Sequence, residues 1–314
     1  MKKTAEIMAA VNRVLIGKEK EIAYLLAGIL SGGHLLVEDY PGTGKTTLAK
    51  TMAEVLGCTF KRIQFTPDLM PSDIIGLSIY RRAEDRFVYQ PGPVMSQFLL
   101  ADEINRTSPK TQAALLEAMA ERQVTVDGVT YPLPEPFIVM ATQNPIEFEG
   151  TYPLPEAQLD RFMMRVTLGY PEQELEQQIV RIDPNRKLTV PLQKVVDSKE
   201  LVAMQRALDK VFLAAVLEDY IVRLTRATRT HPDLLLGVSP RGGQHLYQAS
   251  RALATIRERD FVLPDDIKEI LPPVFSHRLI LKPEARLKGR TAALILQEIL
   301  FQTYVPVFID DRVQ

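Results

Sequence analysis

A glycine-rich turn between an apolar run and a helical pattern constrains the fold of this chain more than any other feature. The apolar run covers residues 34–37, and Pro41-Gly42-Thr43-Gly44-Lys45-Thr46 follows it closely. Helical periodicity then continues through Leu48 and Met52. In a strand–turn–helix context, the backbone N–H groups of the turn and of the helix N-terminus point at phosphate oxygens. The chain is therefore predicted to contain a phosphate-binding loop.

Further apolar runs alternate with helical patterns along the first part of the chain. The predicted strands cover residues 34–37, 59–65, 98–101, 137–141 and 165–168. Near-continuous apolar runs are typical of parallel strands whose two faces are both covered by helices. We therefore predict an α/β fold in which a parallel five-stranded sheet lies between helices over residues 1–186. An all-α domain is predicted for residues 187–314.

Local signals place one helix and two hairpins within the first domain. Ser108 is a good N-cap and Pro109 suits the first helical position, so a helix is predicted to begin there. Asp127-Gly128 between β-branched runs predicts a two-residue hairpin. A second hairpin is predicted over residues 77–89.

The segment beyond residue 186 is predicted to be helical without strands. One helix is predicted over residues 199–229, and another is predicted to begin at Ser239-Pro240. Pro272-Pro273 is predicted to mark a break, because proline lacks the N–H that a helix interior needs.

Polar residues at the ends of the apolar runs fit the chemistry of phosphoryl transfer. Lys45 would bridge the β- and γ-phosphates, and the Thr46 hydroxyl would coordinate Mg²⁺. Asp102 and Glu103 close an apolar run at the edge where open α/β sheets bind ligands. Asp102 fits an Mg²⁺ partner and Glu103 a base that polarises the attacking water. Asn144 closes another run and would orient that water or touch the γ-phosphate.

Position 39 departs from the strict pattern G-x-x-x-x-G-K-[ST]. The pattern requires glycine there, and this chain has Asp39. The remaining Pro-Gly-x-Gly-Lys-Thr in its strand–turn–helix context still favours a phosphate loop over a merely tight turn, because a tight turn does not explain Lys45-Thr46.

Composition argues against several other classes of protein. The 38 basic and 39 acidic side chains leave a net charge of −1, which gives no electrostatic footprint for nucleic acid or an anionic membrane. No run of about 18 apolar residues occurs, so membrane insertion is not expected. The single cysteine, Cys58, cannot support a disulfide framework and suits a reducing, cytoplasmic interior. The four histidines show no metal-ligand spacing, which disfavours a zinc enzyme.

Four segments closely resemble motifs of the MoxR family of AAA+ ATPases. They are LVEDYPGTGKT at residues 36–46, LLADEINR at 99–106, ATQNP at 141–145 and PEAQLDRF at 155–162. The resemblance covers nearly the whole chain, and members of this family often have an acidic residue at the position of Asp39. It implies an AAA+ P-loop core over residues 1–186, with hairpin insertions at residues 77–89 and 124–131, and a helical lid domain over residues 187–314.

The resemblance also implies roles for individual residues. Arg161 matches the arginine finger, which reaches the nucleotide of a neighbouring subunit and can be worth about 10³–10⁵ in rate. Arg241 matches the second sensor, which touches the nucleotide of its own subunit. The segment that includes Val14, Ile16 and Gly17 matches the one that packs against adenine. The phosphate-binding residues implied are Pro41, Gly42, Thr43, Gly44, Lys45, Thr46 and Thr47.

The assembly that the resemblance implies is a homo-hexamer with nucleotide between subunits. Such a ring hydrolyses Mg·ATP and acts as a chaperone-like factor on a separate client protein. The usual clients contain von Willebrand factor A domains, and the usual context is metal insertion or complex maturation.

Other P-loop functions fit the sequence less well. A GTPase is disfavoured, because no Asn-Lys-x-Asp follows a strand. A small-molecule kinase would leave Arg161 and Arg241 without a purpose, and the balanced charge disfavours a DNA motor. A nucleotide-gated binding module that hydrolyses ATP slowly is the alternative from another functional class, and Glu103 argues against it.

Overall fold

The apolar runs predicted as strands form one five-stranded sheet in the computed structural model, which describes residues 2–145, 150–180 and 192–306. The observed strands agree with the predicted ones to within two residues at either end. Numbered along the chain, the strands are β1 (Leu35–Glu38), β2 (Phe60–Gln64), β3 (Gly76–Arg81), β4 (Arg86–Pro91), β5 (Phe98–Asp102), β6 (Gln123–Val126), β7 (Val129–Pro132), β8 (Ile138–Gln143), β9 (Met164–Val166), β10 (Leu234–Leu236) and β11 (Ile280–Leu281).

The helices follow the predicted division between an α/β part and a helical part. They are α1 (Lys2–Asn12), α2 (Glu19–Leu30), α3 (Lys45–Val55), α4 (Pro71–Ile75), α5 (Pro109–Glu121), α6 (Glu156–Leu159), α7 (Gln173–Val180), α8 (Ser198–Ala207), α9 (Ala215–Thr230), α10 (Pro240–Ile256), α11 (Pro264–Phe275), α12 (Pro283–Leu287) and α13 (Ala292–Gln302). Short 3-10 turns cover Ile104–Arg106, Leu208–Lys210 and Ser276–Arg278.

The large sheet has the order β2-β5-β8-β1-β9, and all its strand pairs are parallel. Alternate residues on its central strands, such as Leu36, Leu99 and Val139, share one core cluster with Leu115 and other apolar residues of α5. On the opposite face, Leu35 of β1 packs so closely on α2 that a Cβ at Gly28 would lie 2.4 Å from its Cδ2. The prediction of a parallel sheet covered on both faces by helices is therefore confirmed.

Residue contacts divide the chain between Arg206 and Ala207. The predicted domain boundary, at 186/187, lies outside the described residues. Helix α8 belongs to the N-terminal unit because its polar side chains hold it there. Gln205 Nε2 donates to the Ile29 carbonyl (2.7 Å), and Lys3 pairs with Glu200 (2.5 Å).

The predicted local elements of the N-terminal unit are present. The Ser108 hydroxyl accepts from Thr111 N (3.4 Å) at the start of α5, so it acts as the N-cap. Strands β6 and β7 form the hairpin around Asp127-Gly128, and β3 and β4 form the longer one.

Three predictions for the segment beyond residue 186 were wrong. The helix predicted over residues 199–229 is interrupted between α8 and α9, where Phe212 forms a parallel bridge with Phe261. Pro272 and Pro273 lie inside α11, near its C-terminal end, instead of breaking it. Strands occur in this segment as well, since β10 and β11 pair antiparallel. The start of α10 at Pro240 is as predicted, with Ser239 as its N-cap.

His34 joins three core elements as a neutral buried side chain. It lies just before β1 and is 5% exposed. Its Nδ1 accepts from Val139 N (3.1 Å), which leaves Nε2 to carry the proton and donate to the Met119 carbonyl (3.2 Å). Burial, reinforced by the charge of Arg122, lowers the pKa of His34 to about 3.

His34 is expected to make the N-terminal unit less stable in acid. Because the folded pKa is about 3 and the ordinary value 6.5, the unfolded chain binds more protons between these limits. The free energy of unfolding should therefore fall as the pH drops below 6.5, by up to about 1.4 kcal/mol per pH unit. Urea unfolding of the wild type and of His34→Gln from pH 7 to pH 4 measures this. The difference in the free energy of unfolding between the two proteins should become smaller in acid. A difference that stays constant with pH would contradict the lowered pKa of His34.

Candidate functional site

The glycine-rich turn connects β1 to α3 at the carboxyl edge of the large sheet. Gly44 is the N-cap of α3 with a φ of 90°, a conformation that side chains with a Cβ rarely adopt. No side chain caps this helix, so the first N–H groups of α3 are available to a ligand. Thr46 and Thr47 are exposed on the first turn. An open helix N-terminus of this kind is suited to bind an anion.

Lys45 is held by the turn that precedes it. Its Nζ donates to the main-chain carbonyls of Asp39 (2.6 Å) and Tyr40 (2.8 Å). Burial lowers the pKa of Lys45, while the carboxylates of Asp39, Asp102 and Glu103 oppose this shift. The ammonium group is therefore within electrostatic reach of Asp102, the predicted Mg²⁺ partner, and of Glu103, the predicted base.

Asp102 ends β5 as a buried carboxylate. Its Oδ1 accepts from the Thr142 hydroxyl (2.6 Å) on β8, and its Oδ2 accepts from Arg62 Nη2 (2.7 Å) on β2. Both donors come from strands that flank β5. These two donors fix the direction of the carboxylate, as the role of a metal partner requires.

Glu103 lies just beyond β5 in the left-handed conformation, with a φ of 59°. Its N–H donates to the Thr142 hydroxyl (2.9 Å), so one threonine positions both acidic residues. Its Oε2 accepts from Gln64 Nε2 (2.7 Å) and pairs with Arg106 Nε (3.1 Å). A non-glycine residue with positive φ near a ligand edge is a recognised feature of functional sites.

Asn144 is buried directly after β8, at the same carboxyl edge as Asp102 and the turn. Strand β8 lies between β5 and β1 in the sheet, so Asn144 follows the strand that separates the two acidic residues from the glycine-rich turn.

Residues 15–17 lie beside the N-terminus of α3. A Cβ built on Gly44 would lie 3.8 Å from Leu15 Cδ2. Gly17 has a φ of 74°, a conformation that favours glycine, and a Cβ there would lie 2.1 Å from Leu175 Cδ1, so that side chain would have to move. Ile16 is half-buried in the same segment.

Arg161 lies against α5. Its Nη1 donates to the Leu116 carbonyl (2.5 Å), and the side chain lines a surface groove of about 570 Å³ together with Glu117 and Glu121. Among the described residues, no hydrogen bond joins Arg161 to the glycine-rich turn of its own chain. In the C-terminal unit, Arg241 is exposed in the first turn of α10.

Several residues around the acidic pair were not predicted from the sequence. Thr142, Arg62 and Gln64 contact Asp102 or Glu103 from neighbouring strands, and Arg106 contacts Glu103 from the following turn. The register pairs Gln64 with Asp102, which places the end of β2 beside the acidic residues. Thr142 and Arg106 lie within the motifs at residues 141–145 and 99–106, Gln64 ends β2, and Arg62 lies in the middle of β2 with no sequence signal of its own.

The described residues contain no other candidate centre of metal or thiol chemistry. No group of three or more His, Cys, Asp and Glu side chains in residues 2–145, 150–180 and 192–306 is arranged to hold a metal ion. Burial raises the pKa of the Cys58 thiol to about 11, which leaves it protonated and unreactive at neutral pH. Within the same ranges, no helix is long and apolar enough to cross a bilayer.

Comparisons with known proteins agree with this architecture. Residues 34–164 match the model of the ATPase family associated with various cellular activities (AAA), and residues 226–299 match that of the AAA lid domain. The 2.00 Å crystal structure of a candidate ATPase from Cytophaga hutchinsonii superposes with a TM-score of 0.91 at 42% identity, covering 98% of this chain and 96% of that one.

Three relatives with known sequences match over most of their length. Chaperone MoxR1 of Mycobacterium tuberculosis is 43% identical, covering 94% of this chain and 80% of that protein. Protein MoxR of Paracoccus denitrificans is 34% identical, with 91% and 92% covered. Uncharacterized protein YeaC of Bacillus subtilis is 49% identical, with 95% and 93% covered. The chain belongs to the MoxR family of AAA+ ATPases.

Proposed function

We propose that this MoxR-type, chaperone-like ATPase binds Mg·ATP at the β1–α3 turn and hydrolyses it to remodel a client protein. The observation that carries the proposal is the arrangement of an uncapped helix N-terminus, Lys45 and the Asp102–Glu103 pair at one sheet edge. This arrangement offers cationic and N–H groups to phosphates, with hard oxygen donors for a divalent ion beside them.

The phosphates would lie on the turn formed by residues 41–47. Lys45 would exchange its two carbonyl partners for phosphate oxygens, and the N–H groups of Gly44, Thr46 and Thr47 would donate to the same group. The Thr46 hydroxyl and Asp102, directly or through water, would hold Mg²⁺. When bound, Mg²⁺ would supply neutralisation of the phosphate charge. Ile16 and Gly17, beside the start of α3, would pack against adenine.

Glu103 would act as the base that orients and polarises the attacking water, with Asn144 helping to position it. In this structure the Glu103 carboxylate is engaged by Gln64 and Arg106. Both contacts are made to Oε2, so Oε1 would be the oxygen that accepts from the attacking water.

Arg161 would complete the site of a neighbouring subunit in a homo-hexamer. Its contact is with α5 of its own chain, which supports a role in trans. Arg241, exposed at the start of α10, would touch the nucleotide of its own subunit as the second sensor.

The client would contact the exposed hairpin β3–β4. Three of its apolar side chains, Leu77, Ile79 and Phe87, are 44%, 42% and 72% exposed, which is unusual for a surface without a partner. Following the family resemblance, we propose a separate client with a von Willebrand factor A domain, acted on in the cytoplasm during metal insertion or complex maturation. The net charge of −1 gives no support for nucleic acid as a partner.

The proposal is tested by measuring ATP turnover per subunit across a wide range of protein concentration. Turnover should rise as subunits assemble, because each site needs an arginine from a neighbour. Light scattering on the same samples reports the assembly state.

A turnover that is independent of concentration, in a protein shown to be monomeric, would contradict the ring. Slow turnover with tight nucleotide binding would instead support a nucleotide-gated switch. The engagement of Glu103 by Gln64 and Arg106 is the observation that favours this second function.

A further inference from the structure

A buried carboxylate begins the phosphate-binding turn at the position where the strict P-loop pattern has glycine. Asp39 is 1% exposed. Its Oδ2 accepts from the backbone N–H groups of Leu168 (2.8 Å) and Gly169 (2.7 Å), which follow β9. Its Oδ1 accepts from Tyr40 N (2.7 Å) within the turn itself. Three backbone donors therefore converge on one carboxylate, so both of its oxygens have hydrogen-bond partners in a buried position.

The main chain of Asp39 contacts a different group of the same site. The Asp39 carbonyl accepts from Lys45 Nζ (2.6 Å), and its N–H donates to the Gln143 carbonyl (3.2 Å) at the end of β8. One residue thus connects the segment after β9, through its side chain, with the phosphate-binding lysine, through its backbone.

Residues 168–170, which we call the strap, also contact the segment that precedes α2. Lys18 Nζ donates to the Leu168 carbonyl and to the Tyr170 carbonyl (3.2 Å). The rings of Tyr40 and Tyr170 stack at 5.5 Å with 10° between their planes. The strap is therefore joined at one side to the phosphate-binding turn and at the other to the residue after Gly17.

We propose that Asp39 is a positioning residue for the nucleotide, which fixes the phosphate-binding turn to the strap at residues 168–170. This inference rests on the proposed function, because it assumes that the turn binds nucleotide. The Asp39 carboxylate holds the carbonyls of residues 39 and 40 where Lys45 reaches them, so that the turn is ordered before ligand arrives. An ordered turn binds phosphate more tightly, because less conformational freedom is lost on binding.

The alternative is that Asp39 only strengthens the packing between β1 and the β9 region. Glu38 offers a matched control, because it also connects β1 with both neighbouring strands. Its Oε2 pairs with Arg165 Nη1 (2.8 Å) on β9, and its Oε1 accepts from Gln143 Nε2 (2.9 Å) on β8. Glu38→Gln removes a charge at the end of the same strand and leaves the strap contacts in place.

The decisive variant is Asp39→Gly, which restores the strict motif. If glycine serves best at this position, nucleotide affinity should be retained or improved. If the contact between Asp39 and the strap positions the turn, the dissociation constant of a fluorescent ADP analogue should rise by about 10-fold or more. Asp39→Asn keeps the shape of the side chain and loses one acceptor. It should also raise the dissociation constant of the ADP analogue. Glu38→Gln should stay within about 2-fold of the wild type.

A second measurement needs only the wild-type protein. Hydrogen exchange of the Leu168 and Gly169 amides should slow when Mg·ADP is added, because a ligand on the turn lowers the population of open states in which their bonds to Asp39 are broken. Nucleotide binding by Asp39→Gly equal to the wild type, a loss no greater than that of Glu38→Gln, or unchanged exchange at both amides would each overturn the inference. If the wild type binds no nucleotide, the proposed function itself fails. If the wild type and Asp39→Gly bind equally, only the role of Asp39 is rejected.

Discussion

Glu103→Gln is expected to lower the rate of ATP hydrolysis by about 10²–10⁴-fold, while nucleotide binding remains within a few-fold of the wild type. The amide cannot accept a proton from water, but it retains the shape that Gln64 and Arg106 contact. Lys45 and the N-terminus of α3 are unchanged, so the phosphate contacts persist. Single-turnover hydrolysis and equilibrium binding of a fluorescent ATP analogue separate the two effects.

Glu54→Gln is a matched control, because Glu54 is an exposed carboxylate in the last turn of α3, at the opposite end from the phosphate site. Its hydrolysis rate should equal that of the wild type. A Glu103→Gln protein that hydrolyses ATP at the wild-type rate would show that Glu103 is not the base. An equal loss of rate in Glu54→Gln would show that the loss does not depend on the position of Glu103 in the site.

Arg161→Ala is expected to lower hydrolysis by about 10³–10⁵-fold in the assembled protein, because the charge on the transferred phosphoryl group loses its arginine partner. The change deletes one hydrogen bond to the Leu116 carbonyl, at the edge of a surface groove, so the fold should be retained. The loss should appear in the rate under saturating ATP, and nucleotide affinity should change little.

Mixing the two inactive variants distinguishes action in trans from action in cis. An Arg161→Ala subunit retains Glu103, and a Glu103→Gln subunit retains Arg161. At equal amounts in a randomly mixed ring, about a quarter of the sites should combine an intact base with an intact neighbouring arginine. Recovered activity would show that the site is shared between subunits. A mixture as inactive as its components, with mixed rings demonstrated, would show that Arg161 acts within its own chain.

Most of the sheet was predictable because β1, β5 and β8 are buried on both faces and therefore appear as continuous apolar runs, whereas the edge strand β2 is exposed along most of its length. The C-terminal unit was less predictable, because its signals are short and ambiguous. Leu234–Leu236 is a three-residue apolar run, and it becomes a strand only by pairing with Ile280–Leu281, far along the chain. Pro272 and Pro273 stay helical because the buried residues around them, including Leu271 and Phe275, contribute more than the lost backbone hydrogen bonds cost.

In the site, the sequence indicated the residues that would contact the nucleotide. It missed the residues that hold those side chains in position. Lys45, Asp102 and Glu103 lie in motifs that are contiguous along the chain. Thr142 and Gln64 become neighbours of the acidic pair only through the strand order β2-β5-β8, which the sequence does not display. That the predicted site residues bind and hydrolyse ATP is a prediction, which the experiments above test.

The hydrogen bonds of Lys45 to two carbonyls of its own turn have a consequence for how mutants of this protein are interpreted. Lys45 cross-links its own turn through these bonds, so a phosphate that binds Lys45 would replace one set of acceptors with another. Replacing Lys45 with alanine therefore removes a ligand contact and also loosens the empty turn. Weak binding by such a variant would combine two free energies, one from the complex and one from the apoprotein. Glu103→Gln, which leaves the empty turn intact, is the better reference for an inactive subunit that still binds nucleotide.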